Sequence, residues 1–254
     1  MLRTVQATRY VTPLREGGSL PAIVEADDLG LYVVKFRGAG QGPLSLVAEL
    51  IAGEIGRALG LRVPEIVFVE VDGALGRNEP DYEIRELLSR SVGLNLGLDY
   101  LPGSVTFDPA AKDTSESELA SRAVWFDAFI TNVDRTVRNP NLLLWHKNLY
   151  FIDHGAALYF HHNWRDVEAA ATSAFAPIRN HILLPWAGTI EIADETSRSL
   201  LSEEVLSYIM GLVPGPWLDE PKERRAAYLH YFLRRIQHAS QFVMEAMRAH
   251  AELI

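Results

Sequence analysis

The order of apolar and polar residues predicts a β-rich first part of the chain. Residues 5–11, 22–25, 31–36 and 65–71 show the alternation or the β-branched runs that are typical of strands. From Pro43 to Gly60, apolar side chains instead recur every three or four residues, which predicts one main helix. We therefore expect a small sheet with a single substantial helix in this part of the chain.

The remainder of the chain has a different pattern. Residues 104–116 are rich in Ser, Asp, Thr and Pro, which predicts a loop and the main domain boundary. The segments after this loop are mostly helical, with one hairpin among them. They are a helix from Ser115 to Ile130, strands at 142–145 and 149–152 joined by His146-Lys147-Asn148, a mixed and loop-rich stretch at 161–195, and helices at 200–213 and 222–254.

Two Asp residues and one Asn lie near the open end of the predicted hairpin. Asp134 and Asn139 lie on the polar loop before the first strand, and Asp153 leaves the second strand. Because paired strands are only about 5 Å apart, the two ends of a hairpin meet, and we expect these three side chains to converge. Phosphoryl transfer needs such a set: one carboxylate orients the attacking hydroxyl, while an Asn and a second carboxylate hold magnesium. The alternative is that all three are ordinary turn residues.

A possible phosphate-binding lysine lies in the first part of the chain. Lys35 interrupts an apolar strand, so it either faces solvent or directs its ammonium group at phosphates. Glu49 lies beside the apolar stripe of the helix and could pair with it, with Glu54 as the competing carboxylate. Flexible backbone that could cover phosphates occurs at Gly17-Gly18-Ser19 and again at 38–42.

Composition and charge narrow the function classes. With 24 basic and 33 acidic residues the net charge is −9, which disfavours nucleic acid as a direct ligand. Cysteine is absent, which excludes thiolate catalysis, disulfides and Cys-ligated zinc. No apolar run reaches the roughly 20 residues that span a bilayer, and the first residues lack the apolar core of a signal peptide. We expect a soluble, cytoplasmic protein with no membrane span.

The order of these elements resembles the protein-kinase-like fold over roughly residues 15–160. The loop Asn132–Asn139 and the segment Ile152-Asp153-His154-Gly155 are most similar to the HipA-like family of bacterial kinases, and the Asp134-Arg135 pair also resembles type II phosphatidylinositol 4-kinases. The resemblance implies an α+β, bilobal, protein-kinase-like fold. Residues 1–101 would form a β-rich, nucleotide-binding N-lobe with one main helix, and residues 102–254 a mostly helical C-lobe.

The resemblance also implies roles for individual residues. Lys35, paired with Glu49, would contact the α- and β-phosphates of ATP, and either Gly17, Gly18 and Ser19 or the turn at 38–42 would cover them. Backbone groups of Asp99 and Leu101 would bind adenine. Asp134 would be the catalytic base, with Asp153 and either Asn139 or Asn141 as Mg²⁺ ligands; Asn141 directly precedes the strand 142–145.

The implied activity is transfer of the ATP γ-phosphate to a hydroxyl, with a Ser or Thr of a protein as the expected acceptor. A kinase for a small molecule or lipid headgroup and a nucleotide-binding pseudokinase are the alternatives. Asn132 stands where many kinases have His, and His154 follows Asp153 where they have Phe. A metal-hydrolase site at His154, His161 and His162 lacks a known zinc spacing, so we interpret these as surface or loop histidines.

Overall fold

The computed structural model describes residues 2–14, 20–40, 42–77 and 79–253. It contains eight strands and eight helices within those ranges, connected by loops and short 3₁₀ turns. The strands are β1 (Thr4–Pro13), β2 (Ala22–Ala26), β3 (Leu31–Lys35), β4 (Ile66–Val71), β5 (Gly93–Asp99), β6 (Val105–Thr106), β7 (Leu142–Trp145) and β8 (Asn148–Phe151). The helices are α1 (Pro43–Ala58), α2 (Tyr82–Arg90), α3 (Ser117–Phe129), α4 (Val167–Thr172), α5 (Ile190–Leu200), α6 (Glu203–Leu212), α7 (Pro221–Gln237) and α8 (Ala239–Ala251).

The chain forms two compact units. The first contains Met1–Leu50 and Pro64–Pro102, and the second contains Ile51–Val63 and Gly103–Ile254. Helix α1 contributes its first half to one unit and its second half to the other. The assignment of residues 1–101 and 102–254 to two lobes stays a prediction.

The first unit is built on a five-stranded closed barrel in the order β1-β2-β3-β5-β4. All neighbours are antiparallel except β1 and β4, which run parallel and close the barrel. Small and β-branched side chains alternate into its core, where packing is close: a Cβ atom on Gly97 would lie 2.6 Å from a methyl group of Val69. The barrel holds Lys35 at the end of β3 and Asp99 at the end of β5.

The second unit combines the helices α3 to α8 with a three-stranded sheet in the order β6-β7-β8. Its core is rich in aromatic side chains. Trp125 and Phe129 of α3 stack with ring centroids 4.9 Å apart, and Phe242 of α8 packs edge-on against Trp125 at 5.6 Å. Helix α3 therefore runs through the interior of this unit and ends where the polar loop of residues 132–139 begins.

One helical prediction for the last part of the chain was wrong. Residues 222–254 form two helices, because His238 leaves the helical conformation with φ −106° and ψ 22° and the bend brings Phe242 onto α3. The stretch 161–195 is mixed and loop-rich as expected, with 3₁₀ turns and the short helix α4, but α5 begins near its end at Ile190 and was not predicted. The buried positions of α5 include the small residues Ala193 and Ser197, so its apolar stripe is weak in the sequence.

The hairpin of β7 and β8 is present, with a tighter turn than predicted. Trp145 pairs with Asn148, so only His146 and Lys147 form the turn. Both are in the left-handed region, with φ 47° and 63°. A two-residue hairpin turn of type I′ needs positive φ at both positions, which Asn-Gly adopts easily and other side chains adopt at a cost.

We predict that replacing His146-Lys147 by Asn-Gly stabilises the protein by about 1 kcal/mol, because the left-handed conformation then costs less. For a chain of this length, that corresponds to a rise in Tm of about 2–4 °C, measurable by calorimetry. Lys147→Ala is the matched control, since it removes the charge but keeps a Cβ atom at positive φ. A double variant no more stable than this control would contradict the account of the turn.

Candidate active site

A lysine–glutamate ion pair lies in the first unit. The Lys35 Nζ atom of β3 is 2.6 Å from Glu49 Oε2 of α1, and the Glu49 side chain is fully buried. Glu54, the competing carboxylate, instead lies 3.4 Å from Arg57 one turn along the same helix. Glu49 therefore fixes the ammonium group of Lys35 at the end of its strand.

The two glycine-containing turns differ in what the structure describes. Gly17, Gly18 and Ser19 lie outside the described residues, within the connection between β1 and β2. That connection closes as a hairpin, because Pro13 pairs with Ala22.

The turn at residues 38–42 is anchored to other parts of the first unit. The backbone N–H of Arg37 donates to Asn95 Oδ1 at 2.9 Å, and that of Gly38 donates to Ser91 Oγ at 3.2 Å. A Cβ atom on Gly38 would lie 2.6 Å from Arg90 Cβ, so this turn packs closely on the end of α2. The first backbone donors of this turn are therefore already used within the first unit.

The backbone N–H groups of Asp99, Tyr100 and Leu101, at the end of β5, differ in whether they have an acceptor within the protein. The Asp99 N–H donates to the Glu65 carbonyl at 2.8 Å, and the Tyr100 N–H donates to the Leu31 carbonyl at 2.9 Å. In the described part of the chain, no protein acceptor takes the next N–H, that of Leu101. Leu101 thus offers one backbone donor to a planar ligand.

In the second unit, the loop of residues 132–139 is organised by Asp127, a fully buried carboxylate in the last turn of α3. Three side chains donate to it: Asn132 Nδ2 at 2.9 Å, Arg135 Nε at 2.6 Å and His181 Nε2 at 2.8 Å. Burial alone would raise the pKa of Asp127, but the Arg135 guanidinium and the His181 hydrogen bond outweigh it, so this pKa lies below its ordinary value. Asp127 is therefore an anion at neutral pH, at the base of the loop.

The tautomer of His181 follows from its neighbours. Its Nδ1 atom accepts from the backbone N–H of Leu183 at 3.1 Å, so the proton is on Nε2, which donates to Asp127. Thr136 forms an isolated antiparallel bridge with His181, and the Ile182 N–H donates to the Arg135 carbonyl at 3.1 Å. Residues 181–183 thus support the loop from outside.

Asp134 is held in the loop through one of its two carboxylate oxygens. Oδ2 accepts from Asn139 Nδ2 at 2.8 Å and from Asn141 Nδ2 at 3.4 Å, while the Asp134 N–H donates to Asn132 Oδ1 at 3.1 Å. Within the described ranges, no protein group donates to Oδ1. The carboxylate is thus oriented from one side and open to a hydroxyl donor on the other.

Arg135 connects this loop to both ends of the hairpin. Its Nη1 atom donates to the Asn141 carbonyl and, at 3.3 Å, to the Ile152 carbonyl. The Ile152 N–H in turn donates to the Asn141 carbonyl at 3.1 Å. The side chain of Asn141 and the residue after Ile152, Asp153, are therefore drawn to the same end of the hairpin.

Asn141 and Asp153 share an unusual backbone conformation, with φ 48° and 55°. Non-glycine residues in this region are uncommon outside functional sites and turns. The two side chains supply an amide oxygen and a carboxylate, which are the hard oxygen ligands that magnesium prefers. Magnesium needs few protein ligands when phosphate oxygens complete its coordination shell. The donor set fits Mg²⁺.

The three histidines after Asp153 lie in loops or short 3₁₀ turns, as one of the two sequence alternatives predicted, but they do not all face the surface. His154 and His161 are buried, and only His162 is exposed. His161 Nδ1 lies 2.9 Å from the Tyr228 hydroxyl, and burial, together with His162, lowers the pKa of His161 to about 3. In the described residues, no group of three or more His, Asp and Glu side chains is arranged to hold a metal ion.

Sequence reasoning missed Asp127 and His181. The signal for Asp127 was a lone acid inside the apolar run Trp125-Phe126-Asp127-Ala128-Phe129, where a carboxylate must find a buried partner. His181 carries no local signal, because 54 positions separate it from the carboxylate that it contacts.

Comparison with known proteins gives a family and a fold. A family model described as HipA-like kinase matches residues 8–244. The crystal structure of a Helicobacter pylori proinflammatory kinase, CtkA, is similar with a TM-score of 0.55 and 13% sequence identity over 98% of this chain and 100% of that chain. At this identity the likeness shows the fold alone, which is a mixed α+β fold similar to that of a kinase.

No curated protein sequence matches the chain. No helix in the described residues is long and apolar enough to cross a membrane.

We predict that Asp127→Asn lowers the free energy of unfolding by about 3–5 kcal/mol at neutral pH, because it leaves Arg135 buried without its carboxylate. Since the folded pKa of Asp127 is below that of the unfolded chain, its stabilisation is complete above about pH 5 and is lost as the pH falls below about 4. The difference between wild type and variant, measured by urea unfolding, should therefore shrink on acidification.

Glu86→Gln is the control for this prediction, since Glu86 pairs with Arg90 on an exposed helix face and such pairs contribute at most about 0.5 kcal/mol. A difference between wild type and Asp127→Asn that stays constant from neutral to acidic pH would contradict the role given to the Asp127 anion.

Proposed function

Because the chain belongs to the HipA-like kinase family, we propose that it is an ATP- and Mg²⁺-dependent phosphotransferase that moves the γ-phosphate of ATP to a Ser or Thr hydroxyl of a protein. The observation that carries this proposal is the Asp134 carboxylate, which Asn139 and Asn141 orient through Oδ2 while Oδ1 is open. An orienting base with one available oxygen is what transfer to a hydroxyl requires.

In this proposal, residues 1–101 are the nucleotide-binding lobe of a bilobal kinase. Lys35, fixed by Glu49, neutralises charge on the α- and β-phosphates, and Gly17, Gly18 and Ser19 cover them. The carbonyl of Asp99 and the N–H of Leu101 bind the adenine edge. The free N–H of Leu101 supports this assignment.

Residues 102–254 are the catalytic lobe. Asp134 Oδ1 accepts the hydrogen bond of the acceptor hydroxyl and then its proton, as the hydroxyl oxygen bonds to the γ-phosphorus and the bond from that phosphorus to ADP breaks. Asn139 keeps the carboxylate in the orientation that this transfer needs. Arg135 keeps the loop and the hairpin in register, so that the base does not drift from the acceptor.

We assign Asn141 and Asp153 as the Mg²⁺ ligands, and Asn139 as an orienting group. Arg135 draws the backbone of Asn141 and of Ile152 together. Both Asn side chains donate to Asp134 Oδ2, but the bond from Asn139 is the shorter one, at 2.8 Å against 3.4 Å from Asn141. Magnesium supplies charge neutralisation of the β- and γ-phosphate oxygens when it is bound.

The surface around Asp134 supports a polypeptide acceptor. Val133 and Val137, on either side of the base in the loop, are 50% and 69% exposed. Two exposed apolar side chains in the same loop as the reacting carboxylate are suited to be covered by a partner's surface. We propose a cytoplasmic location, where ATP is available.

The test is transfer of label from γ-labelled ATP with Mg²⁺ onto three acceptor sets: Ser/Thr peptides and proteins, small alcohols and phosphoinositides. We expect polypeptide labelling that Asp134→Asn lowers by about 10²–10⁴-fold, because the variant cannot accept the proton. Asn141→Ala should raise the Mg²⁺ concentration for half-maximal rate by about 10–100-fold. Asn139→Ala should lower kcat with little change in that concentration.

Asn139→Ala and Asn141→Ala are each other's matched control, since each removes one amide side chain and the two positions are only two residues apart. A Mg²⁺ requirement raised only by Asn139→Ala would reverse the ligand assignment. Labelling of alcohols or lipids alone would overturn the polypeptide acceptor. ATP binding with no transfer to any acceptor set, or transfer at an unchanged rate in Asp134→Asn, would overturn the catalytic proposal.

A further inference from the structure

A second buried arginine lies at the centre of the second unit. Arg235 of α7 has no exposed surface and directs its guanidinium at backbone carbonyl oxygens, with Phe242 stacked 4.6 Å from its Cζ atom. The oxygens that accept from it are those of Ala128 at 2.6 Å, Phe129 at 3.1 Å, Ala170 at 3.3 Å, Ala171 at 3.2 Å and Ser173 at 2.7 Å.

These carbonyls lie at the carboxyl ends of two helices. Helix α3 ends at Phe129 and α4 ends at Thr172. The last carbonyls of a helix have no partner inside it and carry its negative partial charge, so a cation there is favourable. Arg235 thus joins two helix ends that would otherwise each need separate donors.

The end of α3 is the start of the catalytic loop. The Asn132 N–H donates to the Asp127 carbonyl at 2.9 Å, one residue before the carbonyls that Arg235 binds. The Ile130 carbonyl accepts from the Leu158 N–H at 3.0 Å, which links this point to the segment after Asp153. A displacement of the end of α3 would therefore move the loop of residues 132–139 and the segment after Asp153 together.

The end of α4 closes the segment that begins at Asp153. The same face of α7 contacts this segment in two further places: the Tyr228 hydroxyl lies 2.9 Å from His161 Nδ1, and the Tyr231 ring stacks on Phe160 with centroids 3.9 Å apart. Helix α7 thus contacts both the end of α3 and the segment that runs from Asp153 to Ser173.

A space-filling role alone does not account for Arg235. Burial lowers its pKa and the neighbouring Tyr231 offsets only part of that, so a charge is retained at a cost. An apolar side chain would fill the volume without that cost but would leave five carbonyls without this donor.

We propose that Arg235 is a positioning residue for phosphoryl transfer: by tying the carboxyl ends of α3 and α4 together, it sets the distance between the loop that carries Asp134 and the segment that follows Asp153. The link to turnover rests on the proposed function, whereas the link to the geometry does not.

The test uses Arg235→Lys and Arg235→Gln in the full chain, with Arg234→Met as the matched control. Arg234 is adjacent and also contacts α4, through an exposed ion pair with Glu168, but it does not reach α3. We expect the Arg235 variants to fold cooperatively, to lose about tenfold to a hundredfold in kcat, and to keep their KM for ATP within about twofold, because only placement of reacting groups changes. Arg234→Met should resemble wild type.

Amide hydrogen exchange supplies a readout that needs no activity. In the Arg235 variants, the amides of Asn132 and Leu158 should exchange at least about tenfold faster, while those of the β2–β3 hairpin in the first unit keep their wild-type rates.

Four results would overturn the proposal: unchanged kcat in a folded variant of an active enzyme, unchanged exchange at Asn132 and Leu158, equal acceleration throughout the chain, or failure of both variants to fold. An inactive wild type would instead overturn the proposed function, and the exchange result would still decide where Arg235 acts.

Discussion

The buried carboxylate of Asp127 is the interaction on which the polar loop of residues 132–139 and its hairpin depend. It receives hydrogen bonds from Asn132, Arg135 and His181. Two of these residues, Asn132 and Arg135, in turn hold groups further along the chain by hydrogen bonds. Asn132 accepts from the backbone of Asp134, and Arg135 binds the carbonyls of Asn141 and Ile152. One anion at the end of α3 therefore determines where the Asp134 carboxylate lies and how the hairpin meets the loop. Such a buried ion pair contributes little net stability compared with apolar packing, but breaking it is costly, so it favours one geometry over others.

The same constraint explains why strained backbone can persist beside the site. Asn141 and Asp153 both have positive φ, which costs free energy that the surrounding contacts must offset. Arg135 provides contacts at both places, at the carbonyl of Asn141 itself and at the carbonyl of Ile152 just before Asp153. The donor groups assigned to magnesium are thus oriented by hydrogen bonds to their backbone. Arg235 repeats this arrangement at the carboxyl ends of α3 and α4, since it too binds carbonyl groups with a buried guanidinium.

Sequence patterns predicted the parts of this arrangement that are local. Asp134, Asn139 and Asp153 lie within one loop and one hairpin, so their residue types and spacing were sufficient to single them out, and the resemblance to HipA-like kinases is confirmed. Glu49 was identified as a partner for Lys35 because its position relative to a helical stripe can be read directly. The supports were not predictable in this way, because His181 reaches Asp127 across 54 positions and Arg235 reaches Phe129 across 106. Helix α5 and the break at His238 were missed for the same reason, since packing in the folded chain decides them.

The central claim is that Asp153 helps to bind a magnesium nucleotide, and thermal unfolding with and without ATP and Mg²⁺ tests it most directly. A ligand at about 100 times its Kd stabilises the folded state by roughly 2.7 kcal/mol, which is a shift of several degrees in Tm. For wild type we expect a shift that requires both ATP and Mg²⁺, and for Asp153→Ala a folded protein in which the Mg²⁺-dependent part is lost. An equal Mg²⁺-dependent shift in Asp153→Ala, or no shift of the wild-type protein with any nucleotide, would contradict the account.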